Sequence, residues 1–225
     1  YKVLASSNSE YAAWLHNNGF SIEGKRFKFF TFSRLFFDDA KPIKATDRLA
    51  IFGNKAYLSL SFLPEKSTEE FVKVILSNNR FTLGDRKSKV SFNIEGVELQ
   101  PPAEYNRHSM YFQTLSPVVV SMKDDKGKIT YISPEDSDYD YGNLLINNLK
   151  EKYRIYYRKE FEGIPDYEFK LLSPVRSKLI RIKADTKEET RIRGFNYNFH
   201  LKADPELLSL LYESGAGEKN SLGFG

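Results

Sequence analysis

The stretch Ser214–Gly225, S-G-A-G-E-K-N-S-L-G-F-G, constrains this chain more than any other. Four glycines, Gly215, Gly217, Gly223 and Gly225, fall within eleven positions. Leu207, Leu208, Leu210 and Leu211 precede them at helical spacing. A helix therefore runs into a glycine-rich loop and then into a new extended segment. Glycine tolerates positive φ and lets another backbone come close. Lys219, Asn220 and Ser221 add one cation and two neutral hydrogen-bonding side chains, a mixture that suits a phosphate backbone. A helix C-cap followed by a tight turn is the plain alternative. A nucleotide-binding loop is excluded: it needs strand, glycines, then helix, and here the order is reversed with no G-K-[ST].

Charge is the second constraint. The whole chain of 225 residues carries only +4. Between Lys170 and Lys202, however, Lys170, Arg176, Lys178, Arg181, Lys183, Lys187, Arg191, Arg193 and Lys202 face only Asp185, Glu188 and Glu189. A segment this basic is an electrostatic footprint for a polyanion, against the plainer reading of solvated strand faces. The chain has no Cys, and its three histidines, His16, His108 and His200, stand far apart without metal-ligand spacing. Metal-free chemistry with no cofactor is expected. No apolar run reaches the roughly 18 residues of a membrane span, and no signal peptide opens the chain. A cytoplasmic location follows as an expectation.

In chain order, Ser7-Asn8-Ser9-Glu10 reads as a capping box that opens a helix ended by Asn18-Gly19, with His16 in its last turn. Phe27–Phe37 reads as a buried strand and Leu49–Leu63 as two runs forming a hairpin around Gly53-Asn54. Ser67-Thr68-Glu69-Glu70 opens a second helix, closed by Asn78-Asn79, and Phe81–Leu99 a hairpin around Gly84–Ser88. Helix, strand, strand, helix, strand lacks only a first strand to make βαββαβ, so a strand before Tyr1 is expected. After a linker at Pro101–Ser109 the pattern restarts. Strands are expected at Met110–Lys123, Lys128–Ile132, Tyr167–Leu172, Leu179–Ala184 and Arg191–Leu201, with helices at Asn143–Tyr157 and from Asp204-Pro205 to Ser214. A final strand is barely begun at Gly225. The expected fold is α+β: two tandem ferredoxin-like, RRM-like domains, residues 1–104 and 105–225.

The tail E-K-N-S-L-G-F-G resembles the C-terminal glycine-rich motif of the RAMP superfamily, RNA-binding proteins of CRISPR systems. More narrowly, it resembles the CRISPR-associated endoribonucleases of the Cas family numbered six, which cut repeat RNA into guide units. Y-K-V-L-A-S-S-N-S-E-Y-A-A-W-L-H, from Tyr1 to His16, is similar to that family's first helix region. K-F-F-T-F-S, led by Lys28, is similar to its K-[LF]-F-T-[YF]-S. The match is continuous only in these two segments and the glycine loop.

The resemblance implies a metal-independent endoribonuclease. A base takes the proton of the RNA's own 2′-hydroxyl, the oxygen attacks the adjacent phosphorus, and an acid protonates the departing 5′-oxygen. The products are a 2′,3′-cyclic phosphate and a 5′-hydroxyl. Tyr1, His16 and Lys28 would form the site. His16 would transfer the proton, since an imidazole titrates near 6.5. Lys28 would steady phosphate charge, and Tyr1 would position the 2′-hydroxyl or share the proton transfer. RNA would be held by Arg176, Lys178, Arg181, Lys183, Arg191, Arg193 and Lys202, with the loop residues Gly215, Gly217, Lys219, Asn220, Ser221 and Gly223. His200 shares an alternating set with Asn196, Asn198 and Lys202, another surface open to RNA. CRISPR repeat RNA and the crRNA made from it are the implied partners, with other Cas proteins of an interference complex admitted. Monomer and homodimer stay open. The competing reading is a non-cleaving RNA-binding RAMP subunit. A small-ligand regulator on a ferredoxin-like fold is weaker, because it leaves the basic segment without a role.

Overall fold

The structure is a computed structural model. It describes residues 20–22, 25–46, 48–63, 79–85, 87–100, 106–163, 166–184 and 186–225, together with Ala13, Glu69 and Lys73. Tyr1, His16, both capping boxes and most of the first two expected helices lie outside the described residues. Ala13, Glu69 and Lys73 are helical, each within a stretch expected to be helix. The described chain is a mixed α/β fold, mostly strands with two full helices.

Two amphipathic helices and one three-stranded sheet make the main core. Helix α1, Tyr141–Tyr157, is capped by Asp140, whose side chain accepts from the Asn143 amide. It buries Leu145, Ile146, Leu149 and Tyr153. Helix α2, Pro205–Ser214, is capped by Asp204 with Pro at its start, as the sequence implied. It buries Leu207, Leu208, Leu210 and Leu211. Both helices pack on one face of an antiparallel sheet in which Asn198–Lys202 runs between Ser109–Gln113 and Glu168–Leu171. Side chains alternate on these strands as a half-buried sheet requires. Phe112, Phe169, Phe199 and Leu201 point inward, and Phe199 stacks on the other two rings at 5.1 and 5.5 Å.

Several expected strands are divided, and each division has a local cause. Met110–Lys123 splits into Ser109–Gln113 and Ser121–Lys123. Between them Val118 bridges Phe195 and Val119 bridges Gly217, so the middle of the segment serves other partners. Arg191–Leu201 splits at Tyr197 into Thr190–Asn196 and Asn198–Lys202, which belong to different sheets. Thr114 Oγ1 accepts from the Tyr197 amide at 3.1 Å, and the Tyr197 hydroxyl meets that of Tyr141 at 2.6 Å in the core.

The expected hairpin around Gly53-Asn54 is corrected. Leu60–Phe62 pairs with Phe30–Phe32, Ala56–Tyr57 with Phe36–Phe37, and Leu49–Ile51 with Ala40–Pro42. The two arms form one interrupted antiparallel ribbon whose turn lies at Ile43–Arg48, closed by the Ile43 amide on the Arg48 carbonyl. The expected strand Phe27–Phe37 is broken into three: Phe27 ends a short strand paired with Phe20–Ile22, while Phe30–Phe32 and Phe36–Phe37 belong to the ribbon. Gly53 instead sits where the arm is crowded by Asp39, whose carbonyl accepts from both Phe52 and Gly53 amides. The hairpin at Arg80–Gly84 and Lys89–Asn93 is as expected.

Candidate nucleic-acid interface

The glycine-rich loop starts where α2 ends and folds back on three parts of the protein. Gly217 forms a parallel bridge with Val119, and the Glu218 amide donates to the Val119 carbonyl at 2.8 Å. The Gly225 amide donates to Pro117 O at 3.0 Å. The Glu218 carboxylate accepts from the Ser121 amide and hydroxyl at 2.8 and 2.9 Å. Two of the glycines are obligatory on geometric grounds. Gly217 has φ +65, and a Cβ there would lie 2.2 Å from the Val119 carbonyl oxygen. Gly225 has φ +96, and a Cβ there would lie 2.3 Å from Asn220 Nδ2. Within the loop, Asn220–Leu222 forms a 3-10 turn ahead of Gly225, where the final strand is expected to begin.

The loop's end is seated on the strand that follows Lys28. Thr31 Oγ1 donates to the Phe224 and Gly225 carbonyls at 3.2 Å each, and Ser116 Oγ donates to Gly225 O at 2.8 Å. Lys28 itself is half-buried. Its neighbour Phe29 takes φ 48 and is 3% exposed, with its ring against Phe20, Phe27 and Tyr156 of α1. That aromatic anchor fixes the backbone from which Lys28 projects. Of the three expected catalytic residues, Lys28 alone lies among the described residues.

The basic segment forms a hairpin, Arg176–Ile182 paired with Thr190–Asn196. One face carries Ile180, Ile182 and Ile192, which pack with Val119 and with Phe224 of the glycine loop. The opposite face exposes Leu179, Arg181, Arg191 and Arg193. Arg181 and Arg191 stand directly opposite each other, a like-charge pair that costs stability by itself. Glu189 offsets it, lying 3.7 Å from Arg181 and 2.8 Å from Arg191. Arg193 donates to Ser177 Oγ at 2.9 Å. Arg176 and Lys178 are exposed on the other side of the ladder, and Lys183 pairs with Glu188 at the tip. Lys202 lies apart, on the sheet of α1 and α2, paired with Asp166 at 3.1 Å.

The loop residues separate into two classes. Lys219 and Ser221 are half-buried at the rim, and Gly223 lies close to the Phe32 ring. Asn220 corrects the expectation that its side chain faces RNA. It is 8% exposed and its amide donates to the Ala216 and Phe224 carbonyls at 2.9 and 3.0 Å. Gly215 and Gly217 are buried too and shape the loop rather than line its surface. Asn220 Oδ1 accepts from Lys152 of α1, a fully buried lysine that the sequence reading passed over. The available signal was its place three residues after Leu149, on the apolar stripe of the helix.

A second open surface is the outer face of the three-stranded sheet. Tyr111 is 76% exposed and its ring lies 4.8 Å from that of His200, whose Nε2 is 2.6 Å from Ser109 Oγ. Lys170 is the next neighbour of His200 across the ladder. An exposed ring beside a cation and two amides, Gln113 and Asn198, can stack on and hydrogen-bond an unpaired base. Among the described residues no group of acids and histidines is gathered to hold a metal ion, and no helix is long and apolar enough to cross a membrane.

Comparison with known proteins agrees along the whole chain. Residues 1–97 match the family model "CRISPR-associated protein Cas6, N-terminal", and residues 98–225 match "CRISPR associated protein Cas6, C-terminal". The chain is 32% identical to the CRISPR-associated endoribonuclease Cas6 1 of Methanocaldococcus jannaschii, covering 100% of this chain and 80% of that protein. It is 27% identical to the CRISPR-associated endoribonuclease Cas6 of Pyrococcus furiosus, covering 100% of this chain and 77% of that one. Among solved structures, a "CRISPR associated protein Cas6" superposes with a TM-score of 0.74 at 30% identity, over 99% of this chain and 86% of the other. "An RAMP protein binding different RNA substrates" shares the fold with a TM-score of 0.76 at 20% identity, over 100% and 85%. With its glycine loop seated on the strand after Lys28 and both family models matched end to end, the chain belongs to the Cas6 family.

Proposed function

We propose that this protein binds CRISPR repeat RNA and cleaves the precursor into guide RNAs without a metal ion. The observation that carries the reading is convergence. The strand after Lys28, the glycine loop and the buried face of the arginine hairpin meet at Phe224, which Thr31 holds and Ile192 packs against. A phosphate gripped by Arg181, Arg191 and Arg193 is thereby tied through rigid elements to the strand that directly follows Lys28. The names of the relatives, endoribonucleases, support the same class of activity. In this reading His16 transfers the proton, Tyr1 orients the 2′-hydroxyl or shares in that transfer, and Lys28 stabilises the phosphate charge. Attack by the 2′-hydroxyl leaves 2′,3′-cyclic phosphate and 5′-hydroxyl ends. Two ferredoxin-like domains in tandem, residues 1–104 and 105–225, carry the two halves of this machinery. The setting is the prokaryotic cytoplasm, with other Cas proteins as further partners and the protein acting as a monomer or homodimer.

Incubating the protein with repeat RNA in EDTA tests the chemistry. Cleavage should persist and leave cyclic phosphate ends; activity lost in EDTA and restored by Mg²⁺ or Mn²⁺ would overturn the mechanism. A salt titration tests the grip. Replacing Arg191 and Arg193 together with Gln should flatten the dependence of log affinity on log salt by about 1.4 on single-stranded RNA, the counterion release of two phosphate contacts. Lys126→Gln, in the exposed turn after Lys123, should leave the slope as it is. An unchanged slope in the arginine variant would move the binding surface elsewhere.

A further inference from the structure

Lys152 is 1% exposed and sits on the apolar stripe of α1 beside Leu149 and Tyr153. Buried lysines are rare unless they are paired with an acid. This one has two neutral acceptors instead: Nζ donates to the Gly215 carbonyl at 2.6 Å and to Asn220 Oδ1 at 2.8 Å. Glu218 is the charged group that favours its protonated form, but that carboxylate is itself engaged by Ser121. Burial lowers the lysine's pKa to about 7. Charged or neutral, the nitrogen keeps the two N–H donors that these acceptors use, so a polar group is held here at a cost that a leucine or methionine would avoid.

The two acceptors bracket the loop. Gly215 is the residue at which α2 ends, and Asn220 opens the 3-10 turn. Asn220 then donates to the Phe224 carbonyl, and that same oxygen accepts from Thr31, three residues beyond Lys28. A continuous hydrogen-bonded path thus runs from Lys152 through Asn220 and Phe224 to Thr31. We propose that Lys152 is a positioning residue for RNA cleavage, setting the shape of the loop Gly215–Gly225 and its seat on the strand that follows Lys28. The proposal rests on the cleavage reading above. A displacement of about 1 Å in a reacting group can cost on the order of 10²-fold in rate. The RNA-gripping arginines lie on the far face of their hairpin from the loop and are not part of the path.

The test compares wild type with Lys152→Met, which keeps the volume but leaves two buried oxygens unpaired. Repeat-RNA affinity is measured by titration, and the cleavage rate under single-turnover conditions with saturating protein. Affinity should stay within a few-fold while the saturated rate falls by roughly 10–10²-fold. Lys152→Arg, which restores a donor, should recover part of the rate. Thr31→Val breaks the path at its other end with little change in shape and guards against a Lys152→Met protein that does not fold. It should show the same split between affinity and rate. In the double variant the two losses should fall short of multiplying, because both act on one path. A wild-type rate in either single variant at saturation, or losses that multiply in full, overturns the positioning role and leaves the cleavage reading standing. A wild-type protein that does not cut the RNA removes the cleavage reading, and the positioning role with it.

Discussion

His16→Ala should cut repeat RNA roughly 10²–10⁴-fold more slowly than wild type, the usual worth of a general acid or base, while binding it within a few-fold. The argument is chemical. Attack by a 2′-hydroxyl needs a group that exchanges protons near neutral pH, and imidazole titrates near 6.5. Neither of the other two candidates does so without help. Tyr1 has a reference pKa of about 10 and Lys28 about 10.4. His108 and His200 are poorer choices, since His200 bonds Ser109 on the outer face of the sheet and His108 directly precedes that strand. Single-turnover kinetics with saturating protein isolate the chemical step, because binding no longer limits the rate. On the proposed assignment, Lys28→Ala should slow cleavage as well and also weaken binding, because the charge would act on the phosphate before reaction. A His16→Ala protein that cuts at the wild-type rate would remove the catalytic assignment and favour a non-cleaving RNA-binding subunit.

The glycine-rich loop, the helices α1 and α2 and the basic character of Lys170–Lys202 were legible because each rests on local chemistry, whereas the pairing of its two strands into a hairpin was not written in the sequence. Asp204-Pro205 caps α2 on its own terms, and the leucines behind it leave no choice of face. The strand divisions were hidden because strand-forming residues continue across them. In Thr190–Lys202 the buried positions change phase: Ile192 and Gly194 are even-numbered, while Phe195, Tyr197, Phe199 and Leu201 are odd. A phase change marks a strand passing from one sheet to another, but the identity of each residue alone does not display it. The ribbon turn at Ile43–Arg48 was hidden for a different reason. It places Ala45 at φ 59, where glycine or asparagine is the usual occupant, so no turn signal was written there. Gly53-Asn54 offered the familiar signal and drew the hairpin away from its true register.

The functional side chains divide in the same way. Exposure of Arg181, Arg191 and Arg193 followed from the alternation of the hairpin, with Ile180, Ile182 and Ile192 taking the other face. Asn220 and Lys152 were not legible in their roles, because each looks polar and solvated until the loop closes over it. Burying an amide and an amine together is tolerable only when their hydrogen bonds are satisfied. Here the two side chains satisfy each other and three loop carbonyls, of Gly215, Ala216 and Phe224. That arrangement depends on residues 63 and 68 positions apart and leaves no trace in local pattern.

Gly217→Ala should be among the most damaging conservative changes in the loop, lowering the melting temperature and the saturated cleavage rate together. At φ +65 an alanine is strained by roughly 1–2 kcal/mol relative to glycine. Its methyl would also lie 2.2 Å from Val119 O, a rigid backbone atom that cannot turn aside. Either the loop lifts or the Val119 segment moves, and the bond from the Glu218 amide to Val119 O is lost, a further ~1 kcal/mol. A total of about 2–3 kcal/mol corresponds to roughly 4–12 °C for a cooperatively melting chain of this size. Because Phe224 and Gly225 ride on the same loop, the seat on the strand after Lys28 shifts with it, and the rate at saturating protein should fall more than the folded fraction does. Gly96→Ala is the matched control. A Cβ there meets nothing within 4 Å, so that variant should melt within a degree or so of wild type and keep its rate. If Gly217→Ala melts and cuts like Gly96→Ala, the loop is not held against Val119 in solution, and its coupling to the cleavage site fails with it.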